Sequence, residues 1–348
     1  MGDGYSAVES VGSPALTRSE QIAGARVLVT GATGLIGSHL VRALLSASAI
    51  VHILKLPDPE ADSLLITSSD IDRVVVHAGR LEDEDSVVRA VGLSRPELVV
   101  HLGAQTLVGA AWEDPVRTFR VNVTGTLALL EACRRANERP RAIAIASSDK
   151  AYGTSDRLPY VETDPLAGQE PYEASKVMTD IVARTYGKTY GLPTRIARCG
   201  NVYGSGDLNW SRIVPGTIRS LLRKERPILR SDGTPIRDYI HVADVVSAYI
   251  ALLTHPMAPG EAFNFSSGER LSVLDVVLSI REAIGEQLEP MIMKSVHGEI
   301  QEQYLDSTKA RTILGWQAHR RLQGSLAEVV DWYRELLRTE TARGRTRA

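Results

Sequence analysis

A short apolar run, Arg26–Thr30, ends in a glycine, and two further glycines follow at three-residue spacing in Gly31-Ala32-Thr33-Gly34-Leu35-Ile36-Gly37. An amphipathic helical pattern, Leu35–Leu45, begins inside the motif. Each glycine has a distinct job in such a strand–turn–helix unit. Gly31 permits the tight turn, Gly34 lets the backbone approach a pyrophosphate, and Gly37 lets helix and strand pack closely. The helix start offers unpaired N–H groups and the positive end of its dipole to phosphate oxygens. Together Gly31, Thr33, Gly34, Leu35, Ile36 and Gly37 form a candidate dinucleotide cradle. The spacing, two residues between each pair of glycines, differs from the GxGxxG of ordinary dehydrogenases.

The same alternation recurs along the first half of the chain. Ile50–Leu54, Val74–Val76, Leu98–Leu102 and Ala142–Ala146 are short apolar runs, as expected of strands buried on both faces of a parallel sheet. Helical patterns such as Asn122–Arg135 lie between them, which predicts right-handed βαβ units and a doubly wound α/β sheet of Rossmann type. After Gly204 the pattern changes to helical stretches at Ser211–Arg223, Val242–Leu253 and Val273–Ile284, separated by loops rich in Pro and Gly. The expected division is therefore a tail over 1–22, a dinucleotide domain over 23–204, a smaller α/β substrate lobe mainly over 205–337, and a frayed tail over 338–348. The small polar residues up to about Gln21 read as disordered. No internal repeat is evident.

Composition narrows the function classes. A net charge of −2 without a basic stripe argues against nucleic-acid binding. Cys133 and Cys199 show no metal-ligand spacing, so buried thiols in a cytoplasmic protein without a metal centre are expected. No apolar run reaches membrane-span length, and the first residues lack the basic-then-apolar order of a signal peptide.

Chemistry enters with Tyr172-Glu173-Ala174-Ser175-Lys176. At i and i+4 of a helix, Tyr172 and Lys176 share a face. A phenol is a poor base at neutral pH, but a lysine cation beside a cationic nicotinamide favours the phenolate. That would make Tyr172 a base for an alcohol whose carbon is losing hydride. Tyr-x-x-x-Lys alone is a common accident; it gains force from Ser148, which follows the apolar strand Ala142–Ala146.

With these residues in view the chain resembles the extended short-chain dehydrogenase/reductases, from about Ala25 to Leu337. Asn122 in Asn-Val-Thr-Gly-Thr adds to the glycine motif and to Ser148/Tyr172/Lys176. Its nucleotide-sugar branch is matched by His101-Leu102-Gly103-Ala104-Gln105, Gly200-Asn201-Val202-Tyr203-Gly204, Arg237-Asp238-Tyr239-Ile240-His241-Val242-Ala243-Asp244 and Leu314-Gly315-Trp316. The resemblance implies a bound nicotinamide cofactor, a nucleotide-diphosphate sugar as substrate, and a homodimer joined by a four-helix bundle. It implies cofactor contacts from Gln105, Asn122, Tyr172 and Lys176 besides the glycine turn, and substrate contacts from Gln105, Ser148, Asn201, Arg212 and Arg237.

Ser147-Ser148-Asp149-Lys150-Ala151-Tyr152-Gly153 bears on the reaction. In 4-epimerases the two positions after the catalytic hydroxyl are usually small or unreactive; in 4,6-dehydratases they carry an acid/base pair. The Ser-Asp-Lys version most resembles CDP-glucose 4,6-dehydratases, although the glycine motif is less bulky than is typical of that subgroup. Lys150 as base would need a depressed pKa, which nearby positive charge could provide, and Asp149 as acid would need a dry pocket. Otherwise Asp149 caps a turn and Lys150 is a solvated charge. The competing functions are a 4-epimerase and, from another class, a non-catalytic cofactor sensor, which would not be expected to keep the Tyr/Lys pair. Cofactor choice is open on sequence: near the end of the second strand Lys55 suits the 2′-phosphate of NADP and Asp58 the ribose of NAD. After the third strand, Arg80 and Leu81 stand where many relatives put an acidic residue near adenine.

Overall fold

The computed structural model describes residues 17–57, 63–293 and 300–342. Seven parallel strands form the central sheet: β1 (Arg26–Thr30), β2 (Ile50–Lys55), β3 (Val75–Ala78), β4 (Leu98–His101), β5 (Ala142–Ala146), β6 (Thr194–Cys199) and β7 (Glu261–Phe265). Their order is β7-β6-β5-β4-β1-β2-β3, so the winding reverses between β1 and β4. The crevice beyond the carboxyl ends of the strands at such a switch point is where open α/β sheets bind ligands.

Helices cover both faces: α1 (Arg18–Ile22), α2 (Leu35–Ser46), α3 (Glu84–Ser94), α4 (Gly125–Arg135), α5 (Pro171–Tyr190), α6 (Ile213–Leu222), α7 (Val242–Thr254), α8 (Val273–Ile284) and α9 (Leu322–Ala342). On one face Leu40, Val41 and Leu44 of α2 meet Val245, Ala248 and Leu252 of α7 over Val27, Val29, Val51 and Ile53. On the other, Val87 and Val91 of α3 and Leu129 and Cys133 of α4 pack over Leu28, Val99 and Ile143. A separate core joins α6, α8 and α9 through Ile218, Leu221, Val276, Ile280, Leu326, Val330 and Tyr333. A three-stranded sheet of Leu271–Ser272, Ile236–Arg237 and Glu302–Gln303 links that lobe to the site.

Several boundaries differ from the sequence reading. Residues 1–16 lie outside the described set, but Thr17 to Ile22 is ordered: Thr17 and Glu20 make a reciprocal capping box, and Ile22 is fully buried. The expected fraying from Arg338 is corrected as far as Ala342, because α9 continues to that residue. The second half is not all lobe, since α7 and β7 return to the main sheet. β3 is an edge strand: Val75 and Val76 are 47% and 44% exposed, so its apolar run is not buried on both faces. The helix expected from Asn122 starts instead with a π turn over Arg120–Thr124.

Candidate active site

The glycine turn is shaped by contacts a side chain could not make. Gly31 has φ +69°, and a Cβ there would sit 2.6 Å from the Gly103 nitrogen. A Cβ on Gly37 would fall 2.1 Å from the Gly31 carbonyl oxygen. Gly34 is different: a Cβ there would meet only the Gly31 oxygen, at 3.4 Å, an ordinary contact. Its lack of a side chain is therefore unexplained by packing, and the space a side chain would take is left open at the start of α2. Gly34 is also the N-cap of α2 and provides no side-chain hydrogen bond to the first-turn amides, which leaves them for an anion. Ser63 supports the turn from outside, donating to the Thr33 carbonyl at 2.8 Å.

Lys55 ends β2 and donates to the Leu56 carbonyl at 2.9 Å. Asp58 lies outside the described residues. Arg80 stands 4.0 Å from Glu82, while Leu81 is buried as a wedge against Gly103 and Gly125.

Asn122 and Gln105 are occupied largely by the protein itself. The Asn122 carboxamide accepts from the Gln105 amide at 2.7 Å and donates to the Gln105 carbonyl at 3.0 Å and to Ser175 Oγ at 2.9 Å. Gln105 turns its own carboxamide back, donating to the Leu107 carbonyl at 2.9 Å. Both residues shape the loop after β4, and the π turn places Asn122 where it can bind that loop. Sequence reasoning missed the buried relay behind it. His101 Nδ1 lies 2.7 Å from Thr30 Oγ1 and Nε2 lies 2.9 Å from Thr126 Oγ1. Burial holds this imidazole neutral, pushing it down to about 3. The signal was present as a polar triplet, Thr30, His101 and Thr126, in otherwise apolar surroundings.

Ser148 caps the 3₁₀ turn Asp149–Tyr152, its Oγ accepting from the Lys150 amide at 3.2 Å and donating to Asp149 Oδ1 at 2.9 Å. Asp149 is buried, with no hydrogen-bond partner for Oδ2 among the described residues. Burial, the largest influence, raises its carboxyl, against the opposing pull of Lys150 and Arg237. The capping role is therefore filled by Ser148. Tyr172 and Lys176 stand on α5 opposite this turn, close enough for Ser148 and Asp149 both to act on the Tyr172 phenol. Lys176 is buried, donates to the Ala146 carbonyl at 3.0 Å, and holds its Nζ 6.0 Å from the Tyr172 ring centroid.

Two electrostatic features bear on these roles. In the chain by itself Tyr172 is held as a phenol: burial and the Asp149 charge push it up to about 12. Burial brings Lys176 down to about 8, so desolvation acts on both members of the pair. The Lys150 charge acts on two carboxyls, Asp149 and Glu173, and the Arg237 charge acts on the same Asp149.

The substrate candidates converge from the lobe. Arg237 is buried, donates to the Ile236 and Gln301 carbonyls at 2.9 and 3.3 Å, and its charge acts on Asp149. Arg212 pairs with Asp207 at 3.0 Å, and its charge reaches Tyr172. Asn201 begins a short strand, Asn201–Tyr203, its amide donating to the Asp238 carbonyl at 2.8 Å. Gln303, which the motifs did not point to, donates from Nε2 to the Asp149 carbonyl at 3.2 Å. Among the described residues no group of three or more His, Cys, Asp or Glu could hold a metal ion.

Fold and site together define an oxidoreductase-type fold with a Ser/Tyr/Lys centre that Arg212 and Arg237 of a second lobe approach. The family model described as GDP-mannose 4,6 dehydratase matches residues 28–329. The chain is 31% identical over 312 residues to a UDP-glucose 4-epimerase of Mycolicibacterium smegmatis, covering 89% of this chain and 98% of that one. It is 29% identical over 334 residues to a CDP-glucose 4,6-dehydratase of Salmonella typhimurium, covering 91% and 92%. Among solved structures, a dTDP-glucose 4,6-dehydratase of Streptomyces venezuelae with NAD and TYD bound superposes with a TM-score of 0.81 at 28% identity, covering 89% of this chain and 97% of that one. The chain belongs to the extended short-chain dehydrogenase/reductases, in the branch of nucleotide-sugar dehydratases and epimerases.

Proposed function

We propose that the protein is a nucleotide-sugar 4,6-dehydratase, converting an NDP-hexose, CDP-glucose-like, to its 4-keto-6-deoxy product with NAD bound throughout. The observation that carries this reading is Asp149: a buried carboxyl, raised by that burial, with one oxygen unpartnered, on the turn that Ser148 opens opposite Tyr172. A carboxyl whose affinity for a proton is raised by a dry site is suited to donate that proton to a leaving group.

When bound, the nicotinamide would supply a hydride acceptor for C4 and return the hydride to C6. Tyr172 would take the O4 proton, with Ser148 and the Lys176 charge nearby. Removal of the C5 proton would fall to Lys150, which must first give up the charge that acts on Asp149 and Glu173. Asp149 would protonate the C6 hydroxyl as its C–O bond breaks, releasing one water. A proton returns to C5 as hydride returns to C6, so the balance is loss of water alone. Arg212 and Arg237 would hold the diphosphate, as guanidinium groups suit phosphate oxygens.

The 4-epimerase reading is favoured by similarity to proteins of that name, the M. smegmatis enzyme at 31% identity among them. Deuterium at C4 separates the two. A dehydratase yields a product lighter by one water with the label at C6, and takes up solvent deuterium at C5 in heavy water. A product of unchanged mass with the label at C4 would overturn the proposal.

The open space at Gly34 gives a sharper test of the cofactor. Gly34→Ala is expected to keep its melting temperature, because the added Cβ makes only an ordinary contact. Intruding on a bound pyrophosphate costs about 1–3 kcal/mol, so NAD affinity should fall by about 10- to 100-fold. Calorimetric titration checks this; unaltered affinity removes Gly34 from the cradle.

The homodimer belongs to the same proposal. Leu127 on α4 and Met178 and Ile181 on α5 leave large apolar side chains almost half exposed on two packed helices. Ile181→Glu is expected to yield monomers by light scattering; a variant that stays dimeric, or a monomeric parent, excludes this face as the dimer contact. A cytoplasmic setting suits Cys133 and Cys199, both buried and unpaired. No helix among the described residues is long and apolar enough to cross a membrane.

A further inference from the structure

Below the catalytic pair, α5 carries a buried carboxylate. Asp180 follows Tyr172 and Lys176 at i+8 and i+4, so it continues the same helix face. It is fully buried, and it binds Arg198 of β6 through both guanidinium edges: Nε to Oδ2 at 2.8 Å and Nη2 to Oδ1 at 3.0 Å. The remaining Arg198 nitrogen, Nη1, donates to the Tyr152 hydroxyl at 2.8 Å and to the Glu162 carbonyl at 3.2 Å. The Tyr152 hydroxyl in turn donates to Asn264 Oδ1 at 2.7 Å, and Asn264 donates to the Tyr160 carbonyl at 2.9 Å. The Tyr152 ring stacks on Tyr160, with centroids 4.6 Å apart and planes 3° from parallel. Tyr152 is also the last residue of the 3₁₀ turn that carries Asp149 and Lys150.

We propose that Asp180, Arg198 and Tyr152 form a positioning brace between the two halves of the site. One end is the helix that carries Tyr172 and Lys176; the other is the turn that carries Asp149 and Lys150. A buried ion pair is a poor source of stability, since apolar residues of similar volume often serve as well. What this one supplies is geometry. The planar fork of Arg198 fixes direction as well as distance, and each donor has a named acceptor. Lys176 has its own anchor on the Ala146 carbonyl, and the chain just before Ser148 is tied to the sheet where the Ser147 amide donates to the Ala197 carbonyl at 2.8 Å. Loosening Tyr152 therefore acts first on Asp149 and Lys150. For the assignment to elimination, the brace rests on the dehydratase reading.

Tyr152→Phe tests it. The ring and its stack remain, and Arg198 keeps Asp180 and the Glu162 carbonyl. A displacement of about 1 Å costs on the order of 10²-fold in rate. Water release should therefore slow by about 10- to 100-fold in kcat with KM within about twofold of the parent. The reduced-nicotinamide absorbance band should rise during turnover, because C4 oxidation outruns elimination. Independently of the reaction catalysed, hydrogen exchange at the amides of Lys150, Ala151 and Gly153 should quicken by about tenfold, with exchange along 172–180 unaltered. Arg198→Lys, which keeps the charge and loses the fork, should shift both readouts in the same direction. Unaltered exchange in the turn overturns the brace whatever the reaction proves to be. So does equal slowing of both chemical steps without a rise in the band, which marks general destabilisation. A parent enzyme that releases no water sinks the dehydratase reading, and the exchange result then decides the brace alone.

Discussion

Tyr172→Phe leaves a folded protein whose turnover is lower by about 10²- to 10⁴-fold, the usual cost of removing a general acid or base. The substitution deletes one oxygen and keeps the ring against the turn. It forfeits the influence of Ser148 on the phenol, while Lys176 retains its anchor on the Ala146 carbonyl at 3.0 Å. Fold is thus little affected, and the circular dichroism spectrum should match the parent's. The expected loss is large because the chain invests in this hydroxyl against its own electrostatics. Burial and Asp149 push the phenol up to about 12, so it reaches the phenolate only with help from positive charge. Lys176, brought down to about 8 by burial, is close to losing its own charge at moderately alkaline pH. Near-normal turnover of the phenylalanine variant would remove Tyr172 from the mechanism.

Asp149→Asn combined with Lys150→Met spares C4 oxidation and blocks loss of water. Oxidation depends on Ser148, Tyr172 and Lys176, none of which the pair of substitutions alters. The new carboxamide cannot donate an acidic proton and the new thioether cannot take one from C5, so water release should fall by about 10²- to 10⁴-fold. The absorbance band of reduced nicotinamide should then build up on mixing with substrate. Asparagine is nearly isosteric with the aspartic acid and can still accept from the Ser148 hydroxyl, now 2.9 Å from Oδ1. The turn itself is closed by Ser148 Oγ rather than by Asp149. Normal water release by the double variant would assign elimination to other groups and return the turn to a merely structural role.

Local patterns carried most of the fold. The apolar runs of β1, β2, β4 and β5 and the glycines of the first turn were legible because each depends on neighbours in sequence: alternation, a turn requirement, a helix start. The short polar segments were harder. Thr17–Ile22 looked like part of a tail, since one buried isoleucine and a capping box are weak signals without the partner surface. β3 looked buried, because a run of valines does not say whether a further strand lies beyond it.

By itself, the sequence determined that a glycine turn between strand and helix, a Tyr/Lys face and an Asp-Lys turn exist in this chain, because strand period, helix period and glycine chemistry are local properties. Tertiary structure alone decided what surrounds them. Asp149 lost a possible capping role to Ser148 and gained burial, because the turn sits under the lobe that brings Gln303 to its carbonyl. Lys150 came to lie near Glu173, since packing Gly168 against Lys150 and Glu173 closes that loop onto α5. Arg198 met Asp180 and Tyr152 from positions 18 and 46 residues away. Desolvation and charge pairing depend on distance in space, and no periodicity in the chain encodes that distance.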